Sequence, residues 1–287
     1  GDAVFVPDFT FFATGEVVSL LGATPVFVDV DPNTFNIDPV KLEAAIKEVL
    51  KEGRYQPRAI IPVDLFGLPA NYPEIEKIAE KYKLLILEDG AQGFGGQIGT
   101  RRACSFGNAA TTSFFPAKPL GCYGDGGAVF TDDDELAHKI RSIRIHGKGT
   151  SRYDNVRIGV NSRLDTIQAA ILQVKLQAFI EYELYNVNQI AQSYTEKLKD
   201  IAKTPIVPED YYSSWAQYTI QFENKEQQDT IQEKLREKGI PTMIYYPKPM
   251  HSQKAFTDIT YVADDLTVTE EICNRVLSLP MHPYLEE

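Results

Sequence analysis

The stretches Leu-Leu-Ile-Leu-Glu-Asp (84–89) and Ala-Ala-Thr-Thr-Ser-Phe-Phe-Pro-Ala-Lys (109–118) decide the fold of this chain. Each begins with a run of mostly apolar residues, and a third such run, 128–130, follows a glycine-rich turn, so the pattern predicts three buried strands. Asp89 falls just past the end of the first run and Lys118 just past the end of the second. We expect both side chains at the carboxyl ends of neighbouring strands, where α/β sheets bind ligands.

The chain before residue 84 alternates strands with helices. This alternation predicts parallel βαβ units with helices on both faces of the sheet, and therefore an α/β fold. Asp38 and Pro39 have the chemistry of a helix N-terminus. The predicted strands are 3–7, 25–30 and 58–63, and the predicted helices are 9–21, one that begins at 39, and 72–82.

After residue 131 the pattern of apolar and polar residues changes. Helices are predicted at 133–144 and at roughly 164–200, and so long a helix usually bridges two domains. The alternation in 215–222 predicts a half-buried strand of an antiparallel sheet. A helix at 227–238, a strand at 241–246 and a helix at 268–277 complete a small α+β unit. We therefore expect a large domain, 1–185, and a small C-terminal domain, 186–287.

Composition excludes several classes of function. The net charge of −11 argues against a general nucleic-acid-binding protein. No apolar stretch approaches the roughly 20 residues that cross a bilayer, and no signal peptide is recognisable. Cys104, Cys122 and Cys273 are far apart and odd in number, which fits reduced thiols in a cytoplasmic protein. The four histidines lack metal-ligand spacing, so no metal is expected.

Two strings carry a resemblance to a known family. Ser113-Phe-Phe-Pro-Ala-Lys118 is similar to the Ser-Phe-x-x-x-Lys signature of DegT-type nucleotide-sugar aminotransferases, and Glu88-Asp89-Gly90-Ala91-Gln92 is similar to their Glu-Asp-x-x-Gln motif. The resemblance spans essentially the whole chain and implies a pyridoxal phosphate (PLP) enzyme of the aspartate-aminotransferase fold, fold type I. The glycine order after Asp89, G-x-x-G-x-G-G, does not match a dinucleotide-binding turn.

The resemblance assigns a role to each candidate cofactor residue. It implies that Lys118 forms a Schiff base with PLP, although a lone lysine in a loop is usually a solvated surface charge. It places Asp89 beside the pyridine nitrogen. The pattern alone does not decide whether Glu88 or Asp89 has this role. The remaining cofactor-binding residues it implies are Gln92 at the ring, Ser113 at the phosphate, Phe11 stacked on the ring, and Asn161 at the phosphate of the partner subunit.

The resemblance also implies the reaction and the assembly. An amino donor, with glutamate expected, and a nucleotide-linked keto sugar would react in turn, and Asn161 would make the enzyme a homodimer with shared active sites. Arg163, Tyr246 and His251 are the expected substrate-binding residues. The strings Gly-Cys-Tyr-Gly-Asp-Gly-Gly (121–127) and Ser-Leu-Pro-Met-His-Pro-Tyr (278–284) resemble the subgroup that aminates a UDP-linked 3-keto hexuronic acid for surface polysaccharides.

Several alternatives stay open. Phe11 and Phe12 are core residues if the resemblance is set aside, because aromatic residues at helix starts are mostly buried. A nucleotide-sugar dehydratase of the same family would carry histidine in place of Lys118. An inactive or regulatory relative is the alternative outside enzymes: the family's Ser-Gly-Thr loop, which helps to hold the cofactor phosphate, is absent, so we expect an N-terminally incomplete version of the enzyme.

Overall fold

The computed structural model of the chain describes residues 1–151, 153–258, 261–262 and 265–285. In this part of the chain the strands are β1 (Asp2–Pro7), β2 (Thr24–Val28), β3 (Gln56–Ile60), β4 (Leu85–Asp89), β5 (Gln97–Ile98), β6 (Arg101–Arg102), β7 (Ala109–Ser113), β8 (Gly127–Phe130), β9 (Tyr211–Tyr212), β10 (Tyr218–Gln221), β11 (Tyr261–Val262) and β12 (Val276–Leu279). The helices are α1 (Ala13–Leu20), α2 (Pro39–Glu52), α3 (Tyr72–Tyr82), α4 (Asp134–Ile143), α5 (Thr166–Ala178), α6 (Leu184–Leu198), α7 (Lys225–Glu237) and α8 (Thr267–Cys273).

A seven-stranded sheet, counted over the described residues, forms the centre of the molecule in the order β11-β2-β1-β3-β4-β7-β8. Every neighbouring pair is parallel except β7 and β8, which are antiparallel. The predicted α/β class with a mostly parallel sheet is therefore confirmed. None of the helices in the described part of the chain has the length and apolarity needed to traverse a bilayer.

Local sequence signals set the limits of the helices well. The Asp38 carboxylate accepts hydrogen bonds from the backbone N–H of Val40 (2.7 Å) and of Lys41 (3.2 Å), Pro39 occupies the first turn, and Gly53 ends α2 with a φ of 71°. These contacts satisfy backbone groups that a helix leaves unpaired at its ends.

Four predictions about elements were wrong. The run 128–130 is a partly exposed edge strand and not a buried one. The strand predicted within 215–222 covers only β10, and it is buried on both faces. The polar side chain of Thr219 can be buried because its Oγ1 forms a hydrogen bond with Ser278 Oγ at 2.8 Å. Residues 241–246 form no strand and make only a bridge at Met243. The helix predicted at 268–277 ends at Cys273, and β12 follows it and pairs with β10.

The long helix predicted at 164–200 is continuous from Thr166 to Leu198, with a π-helical turn at Phe179–Glu183 between α5 and α6. The C-terminal part of the chain contributes to three hydrophobic cores, one of which joins Ile272 and Val276 to Phe9. Tyr218 and Leu277 pack with Ala191 of α6, whereas Met250 and Phe256 pack against Val6 of the main sheet. The division at 185/186 stays a prediction.

Candidate active site

Asp89 is the last residue of β4, at the carboxyl edge of the main sheet. Thr14 Oγ1, in the first turn of α1, donates to Asp89 Oδ2 at 2.8 Å, and the backbone N–H of Ala91 donates to Oδ1 at 3.2 Å. Thr10 Oγ1 lies 3.2 Å from Thr14 Oγ1 and continues the network. Sequence reasoning missed Thr14, whose only signal is a second threonine one helical turn before it. These contacts fix the direction of the carboxylate.

Glu88 points to the other side of β4, as strand alternation requires. Its side chain is fully buried; the backbone N–H of Phe106 donates to Oε2 at 2.7 Å, and that of Cys104 donates to Oε1. Because Glu88 is held inside the protein by these two amides, Asp89 is the carboxylate that can face a ligand at the sheet edge. The geometry therefore favours the assignment that the pattern alone left open.

Lys118 follows β7 through a tight turn in which its backbone N–H donates to Phe115 O at 2.9 Å. The side chain is partly buried, and this burial lowers the pKa of the Lys118 ammonium, while the negative charge of Asp89 acts in the opposite direction. An amine whose pKa is lowered by desolvation has a larger neutral, nucleophilic fraction. Lys118 and Asp89 therefore belong to one electrostatic environment, as the sequence predicts.

Gln92 links this environment to the C-terminal part of the chain. It is buried; its Oε1 accepts from the Phe66 backbone N–H at 2.7 Å and its Nε2 donates to the Tyr246 hydroxyl at 3.1 Å. Burial raises the pKa of the Tyr246 hydroxyl above its usual range, so this group stays protonated and able to donate at neutral pH. Gln92 and Tyr246, predicted for cofactor and substrate respectively, are thus in contact.

The two aromatic residues at the start of α1 have different environments. The Phe12 ring packs against Phe256, with centroids 5.0 Å apart, as the core interpretation predicts. Phe11 is 59% exposed, so the core interpretation is wrong for it, and its ring centroid lies 6.5 Å from that of Tyr246. An exposed aromatic face beside Tyr246 is available to a planar ring.

Ser113, Asn161 and Arg163 are also predicted site residues. Ser113 ends β7, and its Oγ accepts from the Phe115 backbone N–H at 3.2 Å. Asn161 and Arg163 are exposed and contact each other, with Arg163 Nε donating to Asn161 Oδ1 at 2.8 Å. The hydrogen bonds found for Asn161 and Arg163 do not join them to Asp89 or Gln92, and these two residues lie on a separate segment. Contacts and electrostatic interactions connect Asp89, Lys118, Gln92, Tyr246 and Phe11 with one another.

His251 is engaged by acidic side chains. Its Nδ1 lies 2.6 Å from Oδ2 of the buried Asp8, its backbone N–H donates to Asp8 Oδ1 at 2.8 Å, and its Nε2 lies 3.5 Å from Glu270 Oε1. The hydrogen bond to Asp8 raises the pKa of His251, and burial opposes the shift. Since both ring nitrogens face carboxylates, the geometry favours a role in holding the segment that carries Tyr246.

Replacing His251 by glutamine should destabilise the fold most at acidic pH. The raised pKa of the folded state means that the native protein keeps the imidazolium proton to higher pH than the unfolded chain, whose histidine titrates near about 6.5. The stabilisation is therefore complete below that pH and is lost as the pH rises through the folded pKa. Urea unfolding at a series of pH values measures the difference from wild type, and His138→Gln, on an exposed α4 position, is the control. If His251→Gln lowered the free energy of unfolding by the same amount at all pH values, this account would be contradicted.

The residues at the sheet edge fit pyridoxal phosphate. A partly buried lysine of lowered pKa, a carboxylate oriented by Thr14 and a backbone amide, a buried glutamine and an exposed aromatic ring are the groups that an aldehyde on a protonated pyridine requires. Lys118 would hold the cofactor covalently, Asp89 would face the ring nitrogen, and Phe11 and Gln92 would contact the ring.

Comparison with known proteins gives a consistent result. The family model described as the DegT/DnrJ/EryC1/StrS aminotransferase family matches residues 1–287. The UDP-2-acetamido-2-deoxy-3-oxo-D-glucuronate aminotransferase of Pseudomonas aeruginosa is 48% identical over 290 residues, which cover 100% of this chain and 76% of the relative.

Two solved structures are informative. A DegT DnrJ EryC1 StrS aminotransferase from Brucella abortus superimposes with a TM-score of 0.96 at 54% identity, covering 100% of this chain and 76% of the other. NtdA from Bacillus subtilis, solved with its bound cofactor PMP, gives a TM-score of 0.85 at 33% identity, covering 99% of this chain and 64% of the other.

Proposed function

Since the chain belongs to the DegT/DnrJ/EryC1/StrS aminotransferase family, a group of PLP-dependent enzymes, we propose that it transfers an amino group from glutamate to a UDP-linked 3-keto hexuronic acid. The observation that carries the chemistry is the partly buried Lys118 amine, whose pKa burial lowers and which lies within the electrostatic reach of Asp89. The coarser statement, amino transfer to a nucleotide-linked keto sugar with PLP as cofactor, follows from the family and from the relatives described above.

Lys118 has two tasks in this proposal. Bound PLP acts as an electron sink for the carbon that carries the amino group. Lys118 Nζ would hold the cofactor covalently, and as a free amine it would remove the proton from the donor's α-carbon as a general base. The same Nζ returns protons as a general acid during the second half-reaction. A lysine in this position disfavours the dehydratase alternative, in which histidine replaces it.

Asp89 would keep the ring nitrogen of the cofactor protonated. A carboxylate beside a heterocyclic nitrogen stabilises its cationic form, and the donors on Thr14 and Ala91 keep the Asp89 oxygens in place. Gln92 and Phe11 would orient the ring, and Ser113, at the end of β7, would contact the phosphate. Tyr246, protonated and hydrogen-bonded to Gln92, is placed to contact the acceptor sugar.

The charge distribution supports a strongly anionic substrate. We define the basic arm as residues 141–163, which contain six Lys and Arg residues and one Asp, a net charge of +5 on a chain of net charge −11. Local positive potential on an acidic protein attracts anions such as a nucleoside diphosphate that also carries a carboxylate. Arg163 is our proposed substrate contact within the arm. The basic residues are Arg141, Arg144, Lys148, Arg152, Arg157 and Arg163, of which Arg152 lies outside the described residues.

Exposed apolar side chains support a homodimer with shared sites. Large apolar residues are exposed in and just before the long helix, and a patch of this kind usually marks an interface. A partner subunit on this surface would allow Asn161 to reach the phosphate site of its neighbour. Light scattering should give twice the mass of the chain, and a monomer at micromolar concentration would refute the shared site. The residues are Val156, Ile158, Val160, Ile167, Val174 and Ile180.

The proposal is tested by product analysis. The purified protein, supplied with PLP and glutamate, should aminate one or more members of a panel of UDP- and dTDP-linked keto sugars, with the UDP-linked 3-keto hexuronic acid converted fastest; mass spectrometry detects the gain of the amine. Amination of dTDP-linked or uncharged sugars alone would refute the acceptor that we propose. Loss of a hydroxyl without amine uptake would favour the dehydratase, and failure to bind PLP with an intact fold would favour an inactive relative. We place the reaction in the cytoplasm, in surface polysaccharide synthesis.

A further inference from the structure

Behind the candidate site, the carboxyl groups of two acidic residues are buried inside the protein. Asp64 and Glu88 both have fully buried side chains, and each lies close enough to affect the charge of the other. Two ionised carboxylates in contact away from water would repel each other strongly, and no described cation pairs with Asp64. One proton between the two groups removes the repulsion.

The hydrogen bonds decide which carboxyl carries the proton. Both oxygens of Glu88 accept backbone N–H groups, as described above, which is the environment of an ionised carboxylate. Asp64 Oδ1 accepts from the Tyr72 hydroxyl at 2.9 Å and from the Ala70 N–H at 3.1 Å, while Asp64 Oδ2 is buried and receives no N–H or O–H from the described residues. An oxygen with no donor facing it, next to an ionised Glu88, is where an O–H group belongs.

The pair is directly connected to the candidate site. The backbone N–H of Asp64 donates to the carbonyl of Asp89 at 3.0 Å. On the other side Asp64 packs against the turn that carries Gln92, since a Cβ placed on Gly93 would overlap with Asp64 Oδ2. Asp64 therefore occupies the space between the Asp89 backbone and the Gln92 turn.

We propose that Asp64 is a positioning residue that keeps its proton at neutral pH, donates it from Oδ2 to Glu88, and thereby fixes both Asp89 and the turn that bears Gln92. The proposal rests on the proposed function only for the roles of Asp89 and Gln92. Burial and the neighbouring negative charge of Glu88 raise the pKa of Asp64 well above its usual value, in agreement with the hydrogen-bond pattern. The titratable groups that interact with Asp64 or Glu88 are Tyr72, Cys104 and Arg101, and Asp89 acts in turn on Tyr72 and Cys104.

The test uses Asp64→Asn, whose amide can donate to Glu88 as the proposed O–H does and cannot titrate. The unfolded chain loses the Asp64 proton near pH 4, whereas the folded protein keeps it, so the wild-type unfolding equilibrium constant should rise about tenfold per pH unit relative to that of Asp64→Asn. This rise should continue between pH 5 and pH 7. If the ratio of the wild-type to the Asp64→Asn unfolding constant did not change with pH in that range, the proposal would be overturned. Tyr72→Phe, which removes one donor to Asp64 and leaves the proton in place, is the control and should give a flat ratio to wild type.

A spectroscopic readout is independent of stability. Infrared spectra at pH 7 should contain the C=O band of a protonated carboxyl group in wild type and lack it in Asp64→Asn. A spectrum without that band in wild type would overturn the proposal. Asp64→Ala should weaken PLP binding at least tenfold, while Asp64→Asn should bind within about threefold of wild type. Equal affinity in all three proteins would refute the positioning role. If no variant binds PLP, the proposed function fails, and the pH ratio and the carboxyl band still decide the state of the pair.

Discussion

Lys118→Ala should abolish amino transfer, with kcat reduced by about 10³-fold or more, because no other group among the described residues of the sheet edge can both hold the cofactor and move the α-proton. The substitution removes a partly buried amine whose charge burial disfavours, so the fold should persist. Steady-state rates with glutamate and the UDP-linked keto sugar measure the effect, and absorbance of the bound cofactor reports whether a covalent bond to the protein has been lost.

Lys248→Ala is the matched control for this experiment. Lys248 lies between two prolines, as Lys118 lies beside one, and it is exposed in the same segment as Tyr246. Its removal should leave kcat and the cofactor spectrum unchanged. Activity of Lys118→Ala near the wild-type level, or an equal loss in Lys248→Ala, would contradict the assignment.

Asp89→Asn should lower kcat by about 10²- to 10³-fold while PLP still attaches to Lys118. The Ala91 N–H can donate to the amide oxygen and the Thr14 hydroxyl can accept from the amide NH2, so the geometry should be preserved. The amide carries no charge, and the electrostatic support for the protonated ring nitrogen is lost. Removal of a single preorganised electrostatic group at a reacting centre typically costs this much.

Thr14→Val provides the graded comparison for Asp89. It removes one hydrogen bond to the carboxylate and keeps the charge, so its loss in kcat should be about tenfold or less. Single-turnover measurement of each half-reaction locates the defect. If Asp89→Asn reacts at the wild-type rate, or if Thr14→Val is the more damaged of the two, the carboxylate does not act on the cofactor as proposed.

Much of this molecule could be predicted from local pattern because local physics determines it. Helix α3 begins and ends where its apolar spacing predicts, with Asn71 accepting a hydrogen bond at its N-terminus. Asp89 and Ser113 end neighbouring parallel strands, so the sheet itself brings the carboxylate and the segment before Lys118 to one edge. A strand end is a local property, and the parallel pairing of β4 with β7 then places the two ends at one edge of the sheet.

The errors arose where tertiary contacts override alternation. Thr219 and Gln221 look like solvent-facing positions, yet both are buried because Ser278 and the Pro32 carbonyl supply hydrogen-bond partners. Phe11, predicted as core when the residues are considered alone, is exposed at the site edge. Burial depends on what packs across a strand or helix, and period-two or aromatic signals carry no information about that partner.

The contacts that shape the site are long-range and have no sequence signal. Thr14 reaches Asp89 from 75 residues away, and His251 meets Asp8 across 243 residues. The Asp64–Glu88 pair likewise joins two strand ends whose sequence shows only two ordinary acidic residues. These partners became visible once the strand order was known.

The most direct test of the central claim is to locate the covalent attachment of the cofactor. Borohydride reduction of the PLP-loaded protein makes the bond between lysine and cofactor permanent, and mass spectrometry of the digested protein identifies the modified residue. The account predicts a single modified site, Lys118, and no modification in Lys118→Ala. Cofactor attached to another lysine, or reduced protein that carries none, would contradict it.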